Sequence, residues 1–99
     1  MIAFGGYIII DALTKGEEKQ GDVTVSITNY RDDNVMVRLE IDYKIKYSGE
    51  LDPGETAHRL FKLSEGTHTF KLFVDGSYHS SKDRIIESDK DERIEFSIY

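Results

Sequence analysis

The chain has 99 residues, 38% of them hydrophobic and 32% charged, with a formal net charge of −6 and no cysteine. This length predicts a single domain over residues 1–99. The acidic balance disfavours nucleic acid and anionic membranes as partners, because a phosphate-binding surface needs a basic patch. The lack of cysteine excludes a disulfide framework, a thiolate zinc site and a cysteine nucleophile, and leaves the redox compartment open.

The first predicted element is an edge strand around "YIII", Tyr7 to Ile10. This apolar run is far shorter than the roughly 20 residues that span a bilayer, and no basic region precedes it, so we expect neither membrane insertion nor a signal peptide. Gly5-Gly6 predicts a β-bulge in this strand. Tyr7 is a candidate contact for a partner that adds a strand to the edge.

Further along the chain, apolar and polar residues alternate in four stretches, which predicts strands with one apolar face. Alternation of this kind is typical of antiparallel sheets, because parallel sheets covered by helices show continuous apolar runs. The inward set is Val23, Val25, Ile27; Val35, Val37, Leu39, Ile41, Tyr43, Ile45, Tyr47; Phe70, Leu72, Val74; and Ile94, Phe96, Ile98.

The segment Asn34 to Tyr47 keeps this alternation throughout. As one straight strand it would be about 45 Å long at roughly 3.3 Å per residue, longer than a small sandwich is tall. We therefore expect it to bend, with its last residues crossing toward the second sheet and Tyr43 and Tyr47 in the core.

Turn residues separate the strands at intervals typical of a sandwich or barrel. Gly, Asn, Asp and the single Pro concentrate in residues 14–22, 29–34, 48–55, 64–66 and 75–77. The pattern predicts an all-β fold, an antiparallel β-sandwich of about seven strands.

The order "VTVSITNY", "LDPGE", "GTHTFKLFVD", "DRIIESDKDERIEFSIY" resembles the CARDB-type domain of prokaryotic cell-surface and exported proteins, over roughly residues 20–99. The resemblance implies an immunoglobulin-like sandwich and a structural or adhesive role. The chain departs from the family where paired asparagines are expected, since Asp91 and Glu92 stand there, and in the additional residues "GSYHSSK". An antibody-type domain is disfavoured, because the chain has neither the inter-sheet cysteines nor the packed Trp.

In such a sandwich the loop 30–34 and the connection 75–92 emerge at the same end, which would bring acidic side chains together. Calcium favours hard oxygen ligands on loops of this kind. The alternative is a solvated acidic rim that keeps the domain soluble and blocks edge pairing. The candidate calcium ligands are Asp32, Asp33, Asp75, Asp83 and Glu87.

Three histidines fall on separate segments without a zinc-like spacing, so we expect surface positions for His58, His68 and His79. His68 shares the parity of the core residues and should lie at the mouth of the core. The Ser, His and Asp of "YHSSKD" are too close along one extended segment to form a catalytic triad, and no enzyme activity is expected.

Phe73 has the opposite parity to Phe70, Leu72 and Val74, which predicts an exposed aromatic ring and a candidate protein contact. A loop formed by "SYHSSKDRII" covering Phe73 is the alternative. Exposed tyrosines are a further candidate platform for a sugar or peptide.

Two functions follow. The first is a non-catalytic structural or adhesive interaction module, a spacer or docking domain that contacts a protein partner or a second copy. The second is a calcium- or glycan-binding accessory module that uses loops at one end of the sandwich. No cofactor is expected, apart from calcium under the second hypothesis. The location would be extracellular or at the cell surface if the chain is excised from a larger exported protein.

Overall fold

The computed structural model describes residues 19–99, and every regular element in this part of the chain is a β-strand. The all-β prediction with about seven strands is therefore confirmed. Over the same range no helix is present that is long and apolar enough to cross a membrane. The strands are β1 (Gln20–Asn29), β2 (Val35–Ile41), β3 (Lys44–Leu51), β4 (Thr56–Ser64), β5 (Gly66–Val74), β6 (Ser77–Ile86) and β7 (Asp91–Ile98).

The strands form a sandwich of two sheets, a first sheet in the order β4-β1-β7 and a second sheet in the order β3-β2-β5-β6. Within residues 19–99 the strand pairs are antiparallel, except that β1 and β7 run parallel. Residues 87–90 carry the chain from β6 in the second sheet to β7 in the first. Because β7 starts at the same end of the sandwich as β1, the two strands point in the same direction. The predicted antiparallel pairing is corrected at this pair.

The core lies between the two sheets and follows the predicted alternation along β1, β2, β5 and β7. Each fully buried Val, Leu, Ile or Phe side chain stabilises the fold by about 1.5–3 kcal/mol. The buried apolar residues are Val23, Val25, Ile27, Val35, Val37, Leu39, Ile41, Leu51, Ala57, Phe70, Leu72, Val74, Ile86, Ile94, Phe96 and Ile98.

The prediction of one long bent strand from Asn34 to Tyr47 is wrong. The chain reverses at Asp42 and Tyr43, which have φ angles of 53° and 69°, and β2 and β3 form an antiparallel hairpin within one sheet. Positive φ at both central residues is the pattern of a two-residue type I′ turn. Tyr43 and Ile45 are consequently 70% and 62% exposed, and of the aromatic residues predicted in the core here only Tyr47 packs against it.

The prediction of a loop at "SYHSSKDRII" is also wrong, because these residues form strand β6, which pairs with β5 along its length. The inward positions of β6 carry Ser80, Lys82 and Arg84, opposite Leu72, Phe70 and His68. Polar and charged residues at inward positions remove the alternation by which a strand is recognised. The predicted strand at "YIII", the bulge at Gly5-Gly6 and the contact residue Tyr7 lie outside the described residues.

The turns divide between two ends of the sandwich. The Asn29 end contains residues 30–34, 52–55 and 75–76, and the His68 end contains residues 42–43, 65 and 87–90. The Asp75-Gly76 turn, with φ angles of 51° and 84°, confirms the predicted strand ending at Asp75. A buried or largely buried polar side chain lies at each end, Asn29 at one and His68 at the other.

Candidate functional site

The five candidate calcium ligands are distributed along the sandwich. Asp32, Asp33 and Asp75 lie at the Asn29 end, where the Asp75 carboxylate accepts a hydrogen bond from the Met36 N–H at 2.9 Å and lies 4.0 Å from Arg31. Asp33 contributes its backbone carbonyl to Asn29, at 2.8 Å. Of these three carboxylates, that of Asp75 is therefore already engaged by groups of the protein itself.

The other two candidates lie elsewhere. Asp83 is within β6 and accepts a hydrogen bond from the Thr69 hydroxyl at 2.9 Å. Glu87 follows β6 at the His68 end and pairs with Lys90 at 2.8 Å. The length of β6 separates Glu87 from Asp75 by roughly 30 Å at about 3.3 Å per residue. The structure does not bring the five acids together, and residues 19–99 contain no group of three or more His, Asp or Glu side chains placed to hold a metal ion.

Asn29 organises its end of the sandwich from a fully buried position, with 0% exposure. Its amide nitrogen donates to the carbonyls of Asp33 and Leu51, at 2.8 and 3.1 Å, and its amide oxygen accepts the Arg31 N–H at 2.9 Å. Both N–H groups and the carbonyl of the side chain are thus satisfied, as a buried amide requires. Asn29 is a structural residue that fixes the loops around it.

Apolar side chains lie in two groups on the outer face of the second sheet, with the charged residues Arg38, Glu40 and Lys71 among them. We call this face the contact surface and define it by Met36, Phe73 and Tyr78 toward the Asn29 end and Tyr43 and Ile45 toward the His68 end. The predicted outward orientation of Phe73 is confirmed, since Phe73 pairs with Arg38 on β2 and Tyr78 on β6 and is half-buried among them. The other four members are 52–70% exposed.

Two cations lie over aromatic rings of the contact surface. The Arg38 guanidinium is 4.1 Å from the centroid of the Phe73 ring and 3.1 Å from the Glu40 carboxylate. The Lys71 ammonium is 4.5 Å from the centroid of the Tyr43 ring. Phe73 and Tyr78 make an edge-to-face contact at 6.1 Å. Such contacts hold the side chains in fixed positions while leaving apolar area exposed.

Among residues 19–99 two of the four edge strands, β4 and β6, carry charged side chains at inward positions. Arg59 on β4 lies 4.4 Å from the ring of Tyr47 on β3, and Lys82 on β6 lies 5.5 Å from the ring of Phe96 on β7. Arg84 on β6 is 3.6 Å from Glu92 on β7. Inward-pointing charges on edge strands, together with the register shifts in β3 and β6, hinder the addition of a further strand.

The three histidines lie on different strands, and each has its own partner. The His58 Nδ1 is 2.8 Å from the Ser26 hydroxyl on the outer face of the first sheet, and the His79 Nδ1 is 3.1 Å from the Ser80 hydroxyl. His68 lies at the mouth of the core with its side chain 11% exposed, as its parity predicts.

His68 connects two separate turns at its end of the sandwich. Its Nδ1 is 2.5 Å from Asp42 Oδ2, and its Nε2 is 2.7 Å from the Ser64 carbonyl. Burial opposes the charged ring, but the hydrogen bonds to Asp42 and Ser64 and the Asp42 charge outweigh it and raise the pKa of His68. Burial likewise opposes the Asp42 carboxylate, but hydrogen bonds from Thr69 and His68 lower the pKa of Asp42.

Two exposed tyrosines stack at the Asn29 end. The rings of Tyr30 and Tyr99 are 4.9 Å apart and inclined by 9°, and Arg31 Nε donates to the Tyr99 carbonyl at 3.0 Å. Beside Tyr30 is a shallow groove of about 250 Å³ on the first sheet. The groove is lined mainly by polar side chains, including Thr28, Thr56, His58, Arg93, Glu95 and Ser97.

Sequence reasoning missed the pairs Asp42–His68 and Ser26–His58. The members of these pairs are 26 and 32 residues apart, and only the strand register brings them together. The outward position of Met36 follows from its parity, whereas its position beside Asp75 depends on the pairing of β2 with β5. A short-range motif search contains none of this information.

A scan with protein-family models, a search of curated proteins and a search of solved structures find no match to this chain.

Proposed function

We propose that this protein is a non-catalytic interaction module whose contact surface packs against a second copy of the same domain. The observation that carries the proposal is the contact surface, with five apolar side chains on one sheet face, four of them more than half exposed. Exposed apolar groups of this kind on a sheet face, held by cations and ring contacts, are typical of protein contacts.

A second copy is the partner that the charges favour. The contact surface carries Arg38 and Lys71 together with Glu40, although the chain as a whole has a net charge of −6. In a two-fold symmetric interface the same patch occurs on both subunits, so a cation of one copy, Arg38 or Lys71, can lie opposite Glu40 of the other copy. A strongly acidic patch would repel itself, whereas this mixed patch is self-complementary.

The mode of contact that the strands favour is face-to-face packing. Addition of a partner strand, which sequence reasoning considered for the edge at Tyr7 and for Phe73, needs an accessible edge. On β4 and β6 the inward charges Arg59, Lys82 and Arg84 oppose such pairing. The outer face of the second sheet instead presents exposed apolar side chains, among them Met36, Ile45 and Tyr78.

The polar environment of Ser26 supports a role without catalysis. Ser26 and His58 are within hydrogen-bonding distance, as a nucleophile and its base would be. Glu95 is paired with Ser26 from β7, on the opposite side of Ser26 from His58, and is therefore not placed to orient the imidazole. The pair lies mid-strand, where its hydrogen bond completes the sheet surface.

The proposal is tested by site-specific photo-crosslinking. Tyr78 and Met36 are replaced one at a time by p-benzoylphenylalanine, and Leu60, which is 65% exposed on the other sheet, is the matched control. We expect the purified chain to give a covalent dimer from positions 78 and 36 and none from position 60. A chain that stays monomeric in sedimentation at about 1 mM, where even a Kd of about 1 mM would show, contradicts the proposal.

The family likeness adds a location to this proposal. The ordered motifs that resemble a CARDB-type domain support an immunoglobulin-like spacer or docking domain at the cell surface of a prokaryote. The parallel pairing of β1 and β7 is a departure from purely antiparallel immunoglobulin sheets. A longer reading frame with an export signal and adjacent copies of the domain is the observation expected from this proposal.

A glycan-binding accessory role is the second candidate, and the stacked pair Tyr30 and Tyr99 favours it. Aromatic faces and hydroxyl-lined grooves are suited to sugar rings. Calorimetric titration with cellohexaose and chitohexaose tests it, with Tyr30→Ala as the variant and Tyr78→Ala as the control. A thermal melt with calcium and with EDTA tests the calcium alternative, since a ligand that binds only the native state raises the melting temperature. Titrations without heat and melts without a shift would contradict both ligands.

A further inference from the structure

The two ring nitrogens of His68 both face groups that only accept hydrogen bonds. Nδ1 faces the Asp42 carboxylate at 2.5 Å and Nε2 faces the Ser64 carbonyl at 2.7 Å. A neutral imidazole carries one N–H, so it can donate to only one of these acceptors. Both contacts are satisfied only when the ring is doubly protonated and positively charged.

Asp42 makes this ring part of a turn. Its Oδ1 accepts the Thr69 N–H at 3.0 Å, and its own N–H donates to the Thr69 carbonyl at 2.8 Å. Asp42 and Tyr43 both have positive φ, which costs a non-glycine residue about 1–2 kcal/mol. The turn between β2 and β3 therefore depends on the side-chain contacts of Asp42 to keep its conformation.

Few charged groups surround the His68 ring, and most of them interact with partners other than His68. From β3, Lys44 lies near Asp42 and helps to keep that carboxylate ionised. From β6, Arg84 is the register partner of His68 and pairs with Glu92. From the corner between β4 and β5, Glu65 accepts the Ser88 N–H at 3.1 Å. Asp42 is thus the carboxylate that is bonded to the ring.

We propose that His68, in its doubly protonated form, is a pH-dependent clasp that fastens the β2–β3 turn to the end of β4. Loss of one proton leaves either Asp42 or the Ser64 carbonyl without its donor, and the strained turn loses one of its anchors. The raised pKa of His68 supports this direction of the switch. The clasp is closed below the ordinary histidine pKa of about 6.5 and opens as the pH rises through the higher value of the folded protein.

Opening of the clasp also changes the contact surface, an extension that rests on the proposed function. Tyr43 and Ile45, two of its five members, lie in the turn and at the start of β3. The Tyr43 ring is held by Lys71 at 4.5 Å. A loosened turn releases this edge of the surface, so self-association should weaken as the pH rises.

The clasp is tested on the chain alone by NMR and by urea unfolding between pH 5.5 and 8.5. We expect the His68 ring to titrate above the ordinary histidine range, with both N–H signals observed at low pH. Hydrogen-exchange protection of the Asp42 and Thr69 amides, corrected for intrinsic rates, should fall across the same titration. The unfolding constant should rise by about 1.4- to fivefold, the range measured for exposed ion pairs.

The variant His68→Gln should remove this pH dependence, and His79→Gln is the matched control that should keep it. Asp42→Asn, which retains an acceptor without the charge, should lower the pKa of His68. A His68 ring that titrates at or below the ordinary value, or a pH dependence that survives in His68→Gln, overturns the clasp. The photo-crosslinking dimer at pH 6 tests the contact surface separately, so an intact clasp with no dimer would contradict only the proposed function.

Discussion

The polar side chains at the two ends of the sandwich, Asn29 and His68, make different kinds of interaction. At the Asn29 end a neutral, fully buried amide makes three hydrogen bonds to backbone groups of the adjacent loops and strands. At the His68 end a partly exposed ion pair joins a turn to the end of a strand. Both residues fix loops, but only the second changes its charge near neutral pH. The hydrogen bonds of the Asn29 side chain therefore do not depend on pH near neutrality, whereas those of His68 depend on the protonation of its ring.

The largest expected effect is at the Asn29 end. Asn29→Asp removes the two N–H donors and places a carboxylate beside the carbonyls of Asp33 and Leu51. Because unsatisfied buried groups cost about 1–3 kcal/mol each and buried charges cost more, the free energy of unfolding should fall by about 3 kcal/mol or more. Urea denaturation measures it. Asn34→Asp, the same change at an exposed residue, loses only a solvent-exposed hydrogen bond to Glu50 and should cost about 1 kcal/mol or less. Equal losses at both positions would refute the assigned role of Asn29.

The next effect is at the beginning of β1, close to the His68 end. A Cβ on Gly21 would overlap the backbone oxygen of Glu87 and lie 2.8 Å from Cγ2 of Ile86. Gly21→Ala should therefore lower the free energy of unfolding by about 1–3 kcal/mol, as overpacking does. Gly49→Ala is the control, because its Cβ meets the tip of the Tyr47 side chain, 2.7 Å away, which can move. A larger loss at Gly49 than at Gly21 would contradict this account.

A smaller effect is expected when the charge of the clasp is removed. Asp42→Asn should lower the free energy of unfolding at pH 6 by about 1 kcal/mol or less, because Asp42 is partly exposed to solvent. At pH 8.5, where a larger fraction of the wild-type clasp is open, the difference should be smaller still. Urea denaturation at the two pH values measures it, and the Asn29→Asp loss should not depend on this pH change. If the Asp42→Asn loss were the same at both pH values, the contribution of Asp42 to the β2–β3 turn would not depend on the protonation of His68.

A strand of this fold was predictable from the sequence when its inward-facing residues are apolar. The strands β1, β5 and β7 were predicted because their inward residues, such as Val25, Phe70 and Ile94, are apolar. The strand β6 was missed because its inward residues include Lys82 and Arg84, which cover the edge of the sandwich. The β2–β3 hairpin was missed because the alternation continues through Asp42 and Tyr43, and tyrosine is an unusual residue at positive φ. There the tertiary contacts of Asp42 compensate for the unfavourable backbone.

The candidate sites were predicted less completely for a related reason. Parity placed Phe73 outward and His68 at the mouth of the core, and both predictions are confirmed. Parity does not show which strands are neighbours, so it could not predict that Arg38 contacts Phe73 or that Asp42 contacts His68. The same gap led to the calcium hypothesis, in which the acids were grouped by an assumed long loop that is in fact strand β6.

The smallest expected effect concerns a second ion pair near the His68 end. Lys62 on β4 donates to the Asp22 carboxylate at 2.8 Å, and both side chains are well exposed. The hydrogen bond to Asp22 raises the pKa of Lys62 above its ordinary 10.5, so its contribution would be lost only as the pH rises beyond that value. Between pH 5.5 and 8.5 Lys62→Gln should leave both the urea midpoint and its pH dependence unchanged. If Lys62→Gln instead removed the pH dependence of stability, as is expected of His68→Gln, that dependence would come from surface charges in general and not from the His68 ring.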